Sequence, residues 1–283
     1  MTALAWRSRW KGPPPLLFLH EVAGDLHDWR AQVAHFADRY TCVRYNARGY
    51  PPSDVPAAPD SYGQHIAVQD AIAVLDGLGF DAAHVVGLSM GGFCAVHLML
   101  QRPERCLSAT VAGAGYGSAP HQRTGFTEEA RTAARMFRED VRAAADAYQN
   151  GPTRVQYRLK DPDGWRSFGE RLAGRDPVGM SLTFSQVLAE RPSLYDLRDR
   201  LAAVRTPSCW SSATRTTVAS TSRSCSSGPS PGPPSRCCRV PATPSTWKSP
   251  RRSTRCSTTS WTRSPTAGGR PGTPPPWAEA LSA

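Results

Sequence analysis

The chain has 283 residues and a formal charge of +11, and that charge is unevenly placed: up to Pro207 there are 24 basic and 22 acidic side chains, whereas the last 76 residues carry 10 and 1. A nearly neutral first part argues against a nucleic-acid partner, and no apolar run reaches the roughly 18 residues that a membrane span needs. The opening MTALAWRSRW has no apolar signal-peptide centre behind its basic residues, so a soluble cytoplasmic protein is expected.

Residues 15–20, PLLFLH, form a short apolar run that suits a strand buried on both faces. A helix is predicted over 29–40, where Trp29, Val33, Phe36 and Ala37 recur at helical spacing, and a second strand over 41–45. NARGYPPSDVP, residues 46–56, is dense in turn formers and reads as a long ordered loop. An amphipathic helix over 62–78 stops at Gly79, a strand covers 83–86, and a GLSMGG turn leads into a buried helix at 93–100. The next strand is 107–112. Strands alternating with helices predict a parallel doubly wound α/β sheet whose ligand crevice lies at the carboxyl ends of the strands.

From residue 124 to about 201 the pattern turns to helices without strands. The stretch starting at Glu128 is rich in helix formers, and 165–172 and 181–189 read as helical too. Such an insertion reads as a lid. Its larger side chains, Met136, Phe137, Tyr148, Tyr157, Trp165, Met180 and Phe184, either line an acyl or aromatic pocket or pack the lid onto itself. After Pro207 the chain changes character: 17 Ser, 12 Thr and 12 Pro, with Leu281 the only Leu, give a segment unable to bury a core of its own. An irregular tail is expected. Cys42, Cys94 and Cys106 sit in apolar contexts as buried hydrophobes of a reducing compartment, while Cys225, Cys237, Cys238 and Cys256 lack C-x-x-C pairing, so neither metal nor cofactor is assigned.

The strongest motif is Gly87-Leu88-Ser89-Met90-Gly91, a G-x-S-x-G between a predicted strand and a predicted helix. A strand passing straight into a helix strains the corner residue and lifts its side chain clear of the sheet. The flanking glycines let strand and helix approach too closely for a β-carbon. Ser89 is therefore the candidate nucleophile, beside a helix N-terminus that favours a developing oxyanion.

With PLLFLHEVAG at 15–24, YNARGYPPSD at 45–54 and HVVGLSMGGFCAVHLMLQRPERC at 84–106, residues 15 to about 205 resemble an α/β-hydrolase with a helical cap. The resemblance implies domains at 1–118 (first part of the core), 119–200 (cap) and 201–283 (an aberrant tail in place of the last strands and helix). It implies Ser89 as nucleophile and the N–H groups of Met90 and Val22 as oxyanion donors. Where the family has His-Gly this chain has His20-Glu21, which makes both residues substrate-pocket candidates and puts a carboxylate toward the crevice. HEVAG also begins like H-E-x-x-H, but Gly24 stands in place of the second His, so zinc is rejected. His27, His35, His65, His84, His97 and His121 read as surface or satisfied core residues, and no histidine follows His121.

A serine needs a base within reach and a carboxylate to orient it. The family's late Asp and His are missing from the chain as written, but they return if the tail is read one frame over. Cys209-Trp210 then gives Leu, Trp247-Lys248 gives Glu and Trp261-Thr262 gives Asp. The acid's codon would straddle Arg215 and Thr216, and the base's Ala242 and Thr243. A frame-shifted tail also explains Arg251, Arg252, Arg255, Arg263 and Arg270 better than a nucleic-acid-binding arm or a proline-rich linker does, since GC-rich DNA yields arginine and proline out of frame. The expected function is hydrolysis of an ester, lactone or related carbonyl compound, with C–C bond hydrolysis and perhydrolysis open on the same fold. The alternative is a catalytically dead protein that binds a small ligand or is a non-functional remnant.

Overall fold

The computed structural model describes residues 12–211. Five strands form one parallel sheet in the order β2-β1-β3-β4-β5: β1 (Pro15–Leu19), β2 (Thr41–Arg44), β3 (Ala83–Leu88), β4 (Cys106–Ala112) and β5 (Ser208–Ser211). β1 is buried at every position, as a central strand covered on both faces must be. Its alternate side chains serve two cores. Leu17 and Leu19 join Val85, Val111, Val68, Leu75 and Leu98 beneath α2 (Gln64–Gly77) and α3 (Met90–Gln101). Leu16 and Phe18 face the other way onto Trp29, with Val33 and Phe36 of α1 (Arg30–Phe36) packed alongside. That is the doubly wound arrangement, and with this strand order the connection reverses direction at β1/β3.

Between β4 and β5 the described residues contain helices only: α4 (Arg123–Glu139), α5 (Val141–Gln149), α6 (Val155–Lys160), α7 (Pro162–Ala173), α8 (Pro177–Leu182), a π-helical segment Thr183–Leu188 and α9 (Arg198–Ala202), with short 3-10 turns among them. The stretch from Glu128, continuous by propensity, breaks at Asp140. Its backbone is extended (φ −148°, ψ 95°) and its carboxylate accepts from the N–H groups of Arg142 and Ala143, capping α5. A short acidic side chain that can bond the backbone outside a helix competes with helix propagation, and here it wins. Asp161 and Asp176 cap α7 and α8 in the same way, each with proline at the first helical position.

Of the large insertion side chains, Phe137 and Met180 are fully buried, and Phe137 stacks on Phe184 with ring centroids 5.3 Å apart. The insertion has a core of its own, which also takes in Val22, Tyr50 and Met90 from the sheet layer.

The tail does not begin as an irregular segment. Ser208–Ser211 pair in parallel with Ala109–Ala112 of β4, and the Ala109 N–H donates to Pro207 O. All four β5 side chains are nevertheless exposed, Trp210 at 45%. Backbone pairing makes this strand, and its side chains add no core. The remaining tail expectations, including Cys225, Cys237, Cys238, Cys256 and the two codon positions at 215–216 and 242–243, lie outside the described residues. Among the described residues no helix is long and apolar enough to cross a membrane.

Candidate active site

Ser89 is the single residue between the end of β3 and the start of α3. Its backbone has φ 51° and ψ −110°, the only positive φ outside glycine among the described residues. A non-glycine residue held there is strained, by roughly 1–3 kcal/mol, and persists only because its surroundings fix it. They do so from both sides: the Ser89 N–H donates to Ala112 O at 2.8 Å, and Ser89 O accepts from the Phe93 N–H at 3.0 Å. The close approach leaves no space for side chains. A β-carbon on Gly87 would run into Gly91 O, and one on Gly91 into Leu19 O, with His20 O 2.8 Å away. The Gly91 N–H also donates to His20 O at 3.1 Å, which fastens the start of α3 to the end of β1.

This contact brings the segment after β1 alongside the corner serine. Val22 and Ser89 line one cleft of about 800 Å³, walled by Phe93, Phe126, Phe137 and Phe184. The Ser89 side chain is half-buried there and makes no hydrogen bond with another described residue. Neither the Val22 nor the Met90 N–H donates to a described residue. Met90 itself faces a neighbouring cleft of about 540 Å³ with His20, Gly91 and Cys94. The π-helical segment is the partition between the two: Phe184 and Leu188 face the serine's cleft, Thr183 and Val187 the other. Insertion of one residue per turn turns successive side chains to faces that a regular α-helix would not present. Of the seven insertion side chains weighed as pocket lining, Met136, Phe137, Tyr148 and Phe184 line the serine's cleft, and Tyr157, Trp165 and Met180 do not.

His20 and Glu21 do not line the Ser89 cleft. His20 is 3% exposed, and its Nε2 accepts from the Ala47 N–H at 2.9 Å while its Nδ1 lies 2.7 Å from Glu21 O. An amide can donate only to a bare ring nitrogen, so Nδ1 carries the proton and the ring is neutral. Burial lowers its pKa to about 4, helped by the nearby Arg175 charge. Glu21 is turned toward the insertion, where Arg154 Nη2 lies 2.7 Å from one carboxylate oxygen and 2.8 Å from the other. Asp25 and Asp28 continue this contact: Asp25 accepts from Arg171 at 2.9 Å and from Arg175 at 2.7 Å, and Asp28 accepts from Arg171 at 2.6 Å. Three acids from the segment after β1 thus meet three arginines of the helical insertion.

No described histidine lines the Ser89 cleft. His97 is buried on α3 with Nε2 unpartnered, which departs from the expectation of a satisfied core residue, and burial lowers its pKa to about 4. Cys94 and Cys106 are buried and free, and burial raises both thiols to about 12. Among the described residues no group of three His, Cys, Asp or Glu is arranged to hold a metal. Pattern reading missed Glu129 and Arg191, which line the cleft, and Arg154, because these positions lie far along the chain from Ser89 in segments with no motif.

Residues 14–166 match the sequence pattern described as the alpha/beta hydrolase fold. The chain belongs to the α/β-hydrolase fold family. Over 91 residues it is 40% identical to epoxide hydrolase 1 of Caenorhabditis elegans, an alignment covering 32% of this chain and 22% of that protein. Over 99 residues it is 35% identical to 3-oxoadipate enol-lactonase 2 of Acinetobacter baylyi, covering 35% of this chain and 36% of the relative. The chain therefore spans little more than a third, at most, of these curated relatives. Among solved structures, the enol-lactonase from Burkholderia xenovorans matches with a TM-score of 0.60 at 22% identity, covering 72% of this chain and 74% of that one, a likeness of fold.

Proposed function

We propose that this α/β-hydrolase-fold chain acts on an ester, lactone or related carbonyl compound with Ser89 as its nucleophile. The observation that carries the reading is the Ser89 corner: a left-handed backbone at a strand-to-helix junction, with an unbonded hydroxyl on a solvent-reaching apolar cleft. In the proposed step, Ser89 Oγ adds to the substrate carbonyl carbon and the carbonyl pair moves onto oxygen. The undonated N–H groups of Val22 and Met90 are the candidate partners of that oxyanion. Collapse breaks the bond to the alcohol or ring oxygen, and water then releases the acyl group from Ser89. The hydroxyl proton must pass to a base. None of the described histidines lines the cleft; the frame-shifted reading of the tail would place a histidine codon at 242–243 and its acid at 215–216. The helical insertion acts here as a cap, since α4, α5 and the π-helical segment supply most of the cleft's apolar wall. A small-molecule substrate follows from the size and enclosure of that cleft.

A second reading is favoured by one observation: the chain has no histidine after His121, and none in the described part is near enough to Ser89 to line its cleft. On that reading the cleft binds a small ligand without turnover. A fluorophosphonate probe and p-nitrophenyl acetate separate the two. Labelling that is lost in Ser89→Ala, with steady turnover of the ester, supports the hydrolase. A folded protein that is neither labelled nor active refutes the nucleophile, and labelling without turnover supports the arrested form.

A further inference from the structure

Arg191 is a buried cation in the wall of the serine's cleft, and no carboxylate among the described residues pairs with it. It is 5% exposed, and its guanidinium carbon lies 3.8 Å from the ring centre of Phe93 and 4.3 Å from that of Phe126. One terminal nitrogen, Nη2, donates to Tyr116 O at 2.6 Å. The remaining donors, Nε and Nη1, make no hydrogen bond with a described residue, yet neither is among the buried atoms sealed from solvent without a partner. In a side chain this deeply placed, the opening they reach is the cleft that Arg191 lines. Its charged neighbour is another cation: Arg123 donates to Arg191 O and to Ala189 O. Burial and Arg123 together bring the Arg191 pKa down to about 9, so its charge is held at a cost that an anion would relieve.

Phe93 is one helical turn beyond Ser89 on α3, so the guanidinium stacked on that ring stands at the same end of the cleft as the serine. The free edge of an arginine stacked on aromatic rings presents paired N–H groups that match a carboxylate. One acid shares the cleft. Glu129 accepts from the Tyr116 hydroxyl at 2.7 Å and forms no ion pair with Arg191, so it opposes an anionic guest without cancelling the site. Resting on the reading of Ser89 as nucleophile, we propose that the substrate is an ester or lactone carrying a carboxylate, which Arg191 binds while the aliphatic chain lies against Phe93, Phe126 and Phe184.

The test compares hexanoate with hexanamide, which share an apolar chain and differ in charge. Each is titrated calorimetrically into the full chain and used to slow fluorophosphonate labelling of Ser89. The expected result is that hexanoate binds and protects at least tenfold better than hexanamide, as befits a desolvated charge-assisted pair. Arg191→Met erases that preference, Arg191→Lys restores part of it, and Glu129→Gln increases hexanoate affinity severalfold. The wild-type comparison needs no variant, so it stands even if Arg191→Met fails to fold. Equal affinity for the two ligands overturns the anion site while leaving a labelled Ser89 intact. A calorimetric preference for hexanoate in a protein that the probe does not label keeps the anion site and sinks the nucleophile instead.

Discussion

Acidification should destabilise this protein through His20 before most carboxylates are protonated. Folding holds the ring neutral, with Nε2 accepting from Ala47 and Nδ1 donating to Glu21 O, and burial lowers its pKa from 6.5 to about 4. Between those values the unfolded chain binds a proton that the folded chain does not. Stability from this group is therefore complete above about pH 6.5, is lost as pH falls toward 4, and changes no further below that. At pH 5 the loss works out at about 2 kcal/mol from the two pKa values. His97, lowered to about 4 by its own burial, loses stability over the same range, so the measurement must isolate His20. Urea unfolding of wild type and His20→Gln at pH 7 and pH 5 does this, because glutamine keeps an acceptor for the Ala47 N–H but does not titrate. The wild type should lose about 2 kcal/mol more than the variant between the two pH values. Equal losses, or a His20 ring that titrates near pH 6.5 by NMR in the folded protein, would refute the tautomer and burial argument.

Gly91→Ala places a methyl group against the Leu19 and His20 carbonyls, which belong to the central strand and its end and cannot yield; urea unfolding should show a loss of at least about 3 kcal/mol, and an unchanged midpoint would contradict the close approach. Glu21 and Arg154 form a pair with side chains only 12% and 15% exposed, so Glu21→Ala should cost about 3–5 kcal/mol by stranding the arginine, and a double-mutant cycle with Arg154→Met should show coupling well above that of a surface pair. Translating the codons after Pro207 in the alternative frame should raise ester turnover by about 10⁴ over the chain as written, the scale lost when a serine's base is disabled in a known triad. No gain in a folded frame-restored protein would remove the frame-shift explanation.

Much of this protein follows from local pattern. The apolar run at 15–19, the helical spacing in α2 and the glycines around Ser89 each determine their own element, because burial on two faces, amphipathic period and close backbone approach are short-range demands. The break at Asp140 and the π-helical segment were not legible, since propensity is nearly equal on either side and capping or packing decides. The roles of two charged side chains were hidden for a stronger reason. Glu21 reads from the sequence as a carboxylate facing the crevice, and only the fold shows it held by Arg154, 133 residues away. Arg191 carries no motif, and its meaning comes from the rings of Phe93 and Phe126 and from the lack of an ion-pairing carboxylate among the described residues. At β5, by contrast, composition argued against order, yet a strand forms because the open edge of β4 offers a row of unpaired backbone groups to whatever chain follows. Sequence determines where a backbone turns and which faces it buries; which charges meet, and which stay unmet, is settled only when distant segments close around one cleft.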